Sequence, residues 1–181
     1  YNQGPRCIAI GNDAGCTGQL KNSIAIGQMS GNIGQDENAI AVGYQSGSQR
    51  QSINAISIGN SAGLRDQGDN SIALGKNAGC TGQGEYAIAI GTNAGLDTQH
   101  PNSIIINAAT TSLDNKNNEG LFIKPIRQET PENKNILMYD STTGEVTHND
   151  YIEATKINMG ESSTGTYSLS QTVDYTDHAL N

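Results

Sequence analysis

The chain contains no Trp and a single Phe, and hydrophobic residues make up only 34% of its 181 residues. That scarcity excludes a large aromatic-rich core. Positive charge is scarce as well: 10 Lys and Arg stand against 18 Asp and Glu, a net charge of −8. A duplex-binding protein carries a basic footprint, and none is visible, so no nucleic-acid partner is expected. No apolar run approaches the roughly 18 residues of a membrane-spanning helix, and no membrane insertion is expected. No secretory signal pattern opens the sequence. What is abundant is Gly, at 22 residues, and Asn and Gln, together 32. Such polarity suits a disordered chain unless the apolar residues are regularly spaced.

They are. Ile-Ala-Ile-Gly begins at Ile8 and Ile24, Ile-Ala-Val-Gly at Ile40, Ile-Ser-Ile-Gly at Ile56, Ile-Ala-Leu-Gly at Ile72 and Ile-Ala-Ile-Gly at Ile88. A degenerate Ile-Ile-Ile-Asn follows at Ile104, and every step is 16 residues. Three further signals run in phase: Ala or Ser before Gly at 14–15, 30–31, 46–47, 62–63, 78–79 and 94–95; Gln at 19, 35, 51, 67, 83 and 99; and Asn at 22, 38, 54, 70 and 102, with Tyr86 in the remaining slot. A fixed period of this kind means a repeat architecture.

The period narrows the architecture. Each unit holds one short apolar-small-apolar stretch, which is strand alternation. Helical repeats need about 33 residues or more, so they are excluded. Each unit reads as two short strands and two turns, one coil of a β-solenoid (a parallel β-roll of 16-residue coils) in an all-β fold. The apolar pairs Ile8 and Ile10, Ile24 and Ile26, Ile40 and Val42, Ile56 and Ile58, Ile72 and Leu74, and Ile88 and Ile90 are expected to form the core. Gly11, Gly27, Gly43, Gly59, Gly75 and Gly91 are expected at corners, where Gly permits positive φ. The Gln and Asn columns are expected to form side-chain ladders that satisfy turn backbone groups. Ala9, Ala25, Ala41, Ser57, Ala73 and Ala89 form a column of small residues. Such a column lets another backbone approach closely, so it is expected to be the face through which chains associate. Gln3 already stands in the Gln column and Arg6 in the Asn slot. The first residues therefore read as the trailing half of an earlier coil, and the chain is expected to be a piece of a longer polypeptide.

The Asn-Ser-Ile-Ala-Ile-Gly of 22–27 and the Asn-Ala-Ile-Ala-Val-Gly of 38–43, each followed by Ser-Gly, resemble the head repeats of trimeric autotransporter adhesins of the YadA type. The resemblance spans residues 1–107. It implies a left-handed β-roll and a homotrimer, with three chains wrapped about one axis.

The period stops near Asn107. Residues 108–148 read as a polar linker followed by strand-like runs over 121–127 and 136–140. Ser141 to Gly144 reads as a hairpin turn with Gly in the left-handed position, and 145–148 as the returning strand. This hairpin is expected to cap the open last coil, whose strand edges would otherwise be unpaired. Residues 120–127 and 136–147 resemble a segment of phage and large-DNA-virus fibre proteins. Residues 149–181 form a Ser-, Thr- and Tyr-rich tail without an assignment, although Tyr167, Leu169, Val173 and Tyr175 suit strands.

Signals for chemistry are weak. His100, His148 and His178 form no ligand spacing. Asp140, Ser141 and His148 carry the letters of a triad on one hairpin, without a strained elbow or an oxyanion glycine pattern. The acidic turn residues Asp13, Asp36, Glu37, Asp66 and Asp69 change slot from coil to coil, unlike a calcium-binding β-roll. No catalytic, cofactor or metal residue is assigned. Cys16 and Cys80 share a slot four coils apart, roughly 19 Å, too far for a disulfide, and all three cysteines including Cys7 are expected as free thiols. The leading expectation is a virion fibre or spike on a particle surface that displays a host-binding surface, with capsid or other virion proteins as further partners and the host receptor or glycan unidentified. The alternatives are a bacterial surface adhesin head and, from another class, a carbohydrate-active β-helical enzyme, for which no paired carboxylates recur.

Overall fold

The computed structural model describes residues 2–126 and 136–149. The chain divides into two compact units, Tyr1–Gln128 and Glu129–Asn181. In the first unit, β1 (Ile8–Ile10) and β2 (Thr17–Gln19) make one coil, β3 (Ile24–Ile26) and β4 (Ile33–Gln35) the next, then β5 (Ile40–Val42) and β6 (Gln49–Gln51). β7 (Ile56–Ile58) and β8 (Arg65–Gln67), β9 (Ile72–Leu74) and β10 (Thr81–Gln83), and β11 (Ile88–Ile90) and β12 (Asp97–Gln99) continue the series. β13 (Ser103–Asn107) and β14 (Gly120–Lys124) end it. The odd strands pair in the order β1-β3-β5-β7-β9-β11-β13, with β14 added last, and the even strands pair from β2 to β12. Both sheets are parallel, and each register step from β1 to β13 is the sequence period: Ile8 faces Ile24, and Ile88 faces Ile104. The result is an all-β parallel solenoid of about seven turns, with no helix among the described residues.

The corners follow from glycine. At Gly43, φ is +125° and a Cβ would stand 2.6 Å from the Gly59 carbonyl oxygen of the next coil. Only a residue without a side chain ends a strand there.

The inside of the roll overturns the expected core. Ala25, Ala41, Ser57, Ala73 and Ala89 are fully buried, while Ile8, Ile10, Ile58 and Ile90 are between 38% and 58% exposed. The small-residue column therefore points into its own roll and not toward another chain. Ala9, at the end of that column, is itself exposed. The apolar pairs Ile24 and Ile26, Ile40 and Val42, and Ile72 and Leu74 face outward, half-buried only against their own neighbours. The reason is volume. A coil of three-residue strands leaves room for a single thin layer between its sheets. The turn slots crowd it further: Ala39, Ala55 and Ala87 at one corner and Ala62, Ala78 and Ala94 at the other are all fully buried. Two Ile per coil do not fit.

One large side chain per coil does enter, and it is polar. Gln19, Gln35, Gln51, Gln67, Gln83 and Gln99 are buried to 2% exposure or less. Each reaches across the roll from an even strand to the first carbonyl of the odd sheet: Gln35 Nε2 donates to Ile24 O at 2.8 Å, and Gln83 Nε2 to Ile72 O at 2.9 Å. Gln19, Gln35, Gln67 and Gln83 also donate along the axis to the next Gln, as from Gln35 to Gln51 Oε1 at 3.0 Å. Between Gln51 and Gln67 the link is relayed by the Ser57 hydroxyl. Room for the amide comes from the Gly before each even strand; a Cβ at Gly79 would stand 2.6 Å from Gln83 Oε1. The expected Gln ladder exists, and its place is the core. Further bonds from it do reach turn carbonyls, such as Gln51 Nε2 to Ala55 O at 3.2 Å.

Residues 108–119 are not a free linker. They wrap as an irregular last coil, in which Gly95 N donates to Leu113 O at 2.8 Å and His100 N to Asn115 O at 2.7 Å. Here the interior widens. Ile105 replaces the inward Ala and is fully buried, with Leu113 and Phe122 packed against the same cluster. β14 pairs in parallel with β13 from Ser103 with Gly120 to Asn107 with Lys124. The edge of β13 is thus covered by β14.

The second unit holds the expected hairpin, β15 (Ile136–Tyr139) antiparallel to β16 (Val146–Asn149). Gly144 takes φ +73° in its turn. The Asp140 carboxylate accepts from Thr142 N at 2.7 Å and Thr143 N at 3.3 Å, which holds its carboxyl below the usual range. Asp140 is accordingly a turn-capping residue. The segment 127–135 and the tail from 150 on, with Tyr167, Leu169, Val173, Tyr175 and His178, lie outside the described residues.

Candidate interaction surface

The outer face of the odd sheet carries the candidate surface. β-strand geometry puts residues i and i+2 on one face, about 7 Å apart. Parallel pairing at the 16-residue step stacks each with its copy in the next coil, about 4.8 Å away. Two apolar columns result, from Ile8 and Ile10 through Ile56 and Ile58 to Ile104 and Ile106, and onward to Leu121 and Ile123. Eight strands make a strip about 34 Å long. Leu121 is 56% exposed and Ile123 44%, so the strip stays open to its end. Single apolar residues on a surface need no explanation, whereas a contiguous strip is a candidate interaction surface.

Its two margins are polar. One carries the Asn column, in which Asn22 Nδ2 donates to Asn38 Oδ1 at 3.2 Å, Asn38 to Asn54 at 3.2 Å and Asn54 to Asn70 at 3.1 Å. All these Asn have φ between 56° and 60°. Asn tolerates this left-handed region better than other non-glycine residues, which is why the ladder is Asn. The other margin carries Asn12, Gln28, Tyr44, Asn60 and Lys76 just past the corner glycines.

The outer face of the even sheet has no such uniformity. Its first slot reads Thr17, Ile33, Gln49, Arg65, Thr81 and Asp97. Charges pair between neighbouring coils: Arg50 with Asp66, Lys21 with Glu37 at 3.0 Å, and Lys116 with Asp97 at 2.6 Å. The Arg50 guanidinium holds the Asp66 carboxyl below its usual range, and Lys116 does the same for Asp97. Asp36 goes the other way. Burial raises it, and the Asp69 and Glu37 carboxylates add to the rise.

His100 Nδ1 lies 2.7 Å from the carbonyl oxygen of Pro101. Among the described residues no group of three His, Cys, Asp or Glu side chains converges. Cys7, Cys16 and Cys80 are free, and burial pushes the Cys80 thiol up. The Cys7 Sγ donates to Leu20 O at 2.8 Å.

Of the residues singled out in the sequence, the corner glycines take positive φ at the strand ends, the Asn ladder runs along the surface and the Gln ladder runs through the core. The Ile and Ala columns are exchanged. A signal for this was available: three slots per coil, at 9, 14 and 23 in the first coil, hold only Ala or Ser in every coil from 23 to 94. Three uniformly small columns plus one Gln add up to an interior.

Comparison with known families agrees with the repeat. Residues 67–78 and 83–94 match the YadA head domain repeat, in two copies. Each match runs from a core Gln to the Ala before a corner Gly, so it includes both an outward Ile pair and the inward Ala. No curated protein and no solved structure matches the chain.

Proposed function

We propose that this chain is the rod of a surface attachment fibre, a homotrimer whose three rolls meet through the outward Ile columns and display their polar faces to the outside. The observation that carries this reading is the Ile strip itself. Both outward slots of the odd sheet stay Ile, Val or Leu in every coil, though among the described residues no other element packs over them. Burying that strip against copies of itself removes it from water. The threefold number rests on the likeness to YadA-type head repeats, which belong to adhesins. The role is display, with no catalysis, cofactor or metal.

Two settings suit such a rod, each favoured by its own segment. The repeat match over 67–94 favours the head of a bacterial surface adhesin. The likeness of 120–127 and 136–147 to virus fibre segments favours a virion fibre with capsid proteins as further partners. Labelled antibody seen by electron microscopy on particles or on cells separates them.

Light scattering on the full chain tests the assembly. The expected mass is three times the 19.0 kDa of one chain. A pair of substitutions in the strip, Ile58→Lys with Ile90→Lys, is expected to return it to one chain mass with the β-sheet circular dichroism retained. A folded wild-type monomer overturns the reading.

A further inference from the structure

We propose that the corner bearing Tyr86 is a binding site for an uncharged saccharide. Every other coil from Asn22 to Asn102 places Asn in this slot, with φ of 55° to 60°. Tyr86 takes φ 57° in the same place. A bulky residue is strained in the left-handed region where Asn is at ease. Arg6 shares that strain in this slot at φ 61°, and Met29, Gln45, Arg50 and Thr98 share it elsewhere, so it is the aromatic ring that sets this corner apart. The ring does not repay it by packing, since Tyr86 is 59% exposed.

The substitution also opens the ladder. The amide chain that runs from Asn22 to Asn70 stops there. Among the described residues, Asn70 Nδ2 makes no onward bond, and the Asn102 amide has no side-chain partner. Their backbones stand one coil from that of Tyr86, about 4.8 Å away on either side. An exposed aromatic ring with an amide-bearing residue one coil to each side, each amide able to donate and accept, matches a pyranose, whose C–H face is apolar and whose rim is hydroxyl. The Asp69 and Glu85 carboxylates sit next in the chain to Asn70 and Tyr86, and the whole chain carries −8. That field disfavours sialylated or sulfated sugars, so the ligand is a neutral one. Repeated copies in a trimer would strengthen a weak single contact. The proposal deepens the attachment reading and rests on it.

The test uses the full chain on a panel of immobilised oligosaccharides with neutral, sialylated and sulfated termini. Binding to one or more neutral glycans is expected. Tyr86→Asn should weaken it about tenfold while raising Tm by about 2–4 °C through relief of the strained backbone. Tyr86→Phe should keep most of the binding. Light scattering on the same samples reports assembly separately, and all variants are expected to keep the wild-type mass. The proposal is overturned by no neutral-glycan binding, by preference for anionic glycans, or by unchanged binding in Tyr86→Asn. A fall in mass in Tyr86→Asn also overturns it, because Tyr86 would then be a contact between copies. A wild-type monomer that binds neutral glycans through Tyr86 would sink the trimer and leave this site standing.

Discussion

The two sheets of the roll share one chain, one period and, from β1 to β12, one strand length, yet their outer faces differ in kind. The odd sheet repeats Ile or a near relative at both outward slots of every coil. The even sheet varies freely, from Thr17 and Ile33 to Arg65 and Asp97. Their inner faces also differ, Ala or Ser on one and Gln on the other, but each is uniform. Uniformity inside is enforced by volume, because a coil this narrow accepts only one arrangement. Uniformity outside has no such cause within a single chain. An exposed slot free to vary, as on the even sheet, does vary. The proposed assembly accounts for the constancy of the outer Ile, and the variation of the even face suits a face left to solvent.

The strongest way to break this comparison is to charge the inside of the odd sheet. Ala41→Lys puts an ammonium where Ala41 is fully buried. It is expected to abolish the roll, at a cost above about 4 kcal/mol, read as loss of cooperative unfolding in urea. This is a folding defect and not an interface defect, which light scattering alone would not separate.

Next in size is the inside of the even sheet. Gln67→Leu keeps the bulk but removes the donors to Ile56 O at 2.9 Å and Gln83 Oε1 at 3.2 Å. Two buried acceptors lose partners, and about 2–4 kcal/mol of stability is expected to go. Chemical denaturation measures it. If the variant is as stable as the wild type, the Gln ladder is not a stabilising element.

The outer faces should respond far less in a single chain. Ile58→Ser, at a residue 44% exposed, is expected to cost the isolated roll about 1 kcal/mol while weakening assembly. Arg50→Ala on the even face should leave the mass unchanged and lower Tm only slightly at neutral pH, since the Arg50–Asp66 pair is exposed. An equal loss of assembly from both substitutions would erase the distinction between the faces.

The smallest effects are in pH. The Asp66 carboxyl is depressed by Arg50. Its contribution is present above the ordinary Asp range and lost as pH falls through the lowered folded value. Arg50→Ala should remove that acid-side slope. The Asp36 carboxyl is raised. Folding is then favoured most at pH below the ordinary Asp value, and that advantage is lost as pH rises through the raised one. Asp36→Asn should flatten this slope and slightly raise Tm at neutral pH, as seen by calorimetry across pH.

Much of this protein was legible in its 16-residue period. Strand positions, the corner glycines, the parallel register and both amide ladders follow from in-phase spacing and from what Gly, Asn and Gln do in turns. The C-terminal coil was less legible because Leu113, Asn115 and Phe122 fall out of phase: the register step there is 17, from Ile105 to Phe122. Spacing arguments lose their template once the step changes.

The sequence by itself determined that Ala and Ile lie on opposite faces of the odd strands. It did not determine which face is inside. Alternation of period two is unchanged when the whole strand is turned over, and hydrophobicity alone votes for Ile. Tertiary closure cast the other vote. The corner slots Ala39 and Ala62 and the reach of Gln51 to Ile40 O at 2.8 Å consume the space between the sheets. What remains admits a methyl group and not a branched chain, so Ala went in and Ile was left facing out.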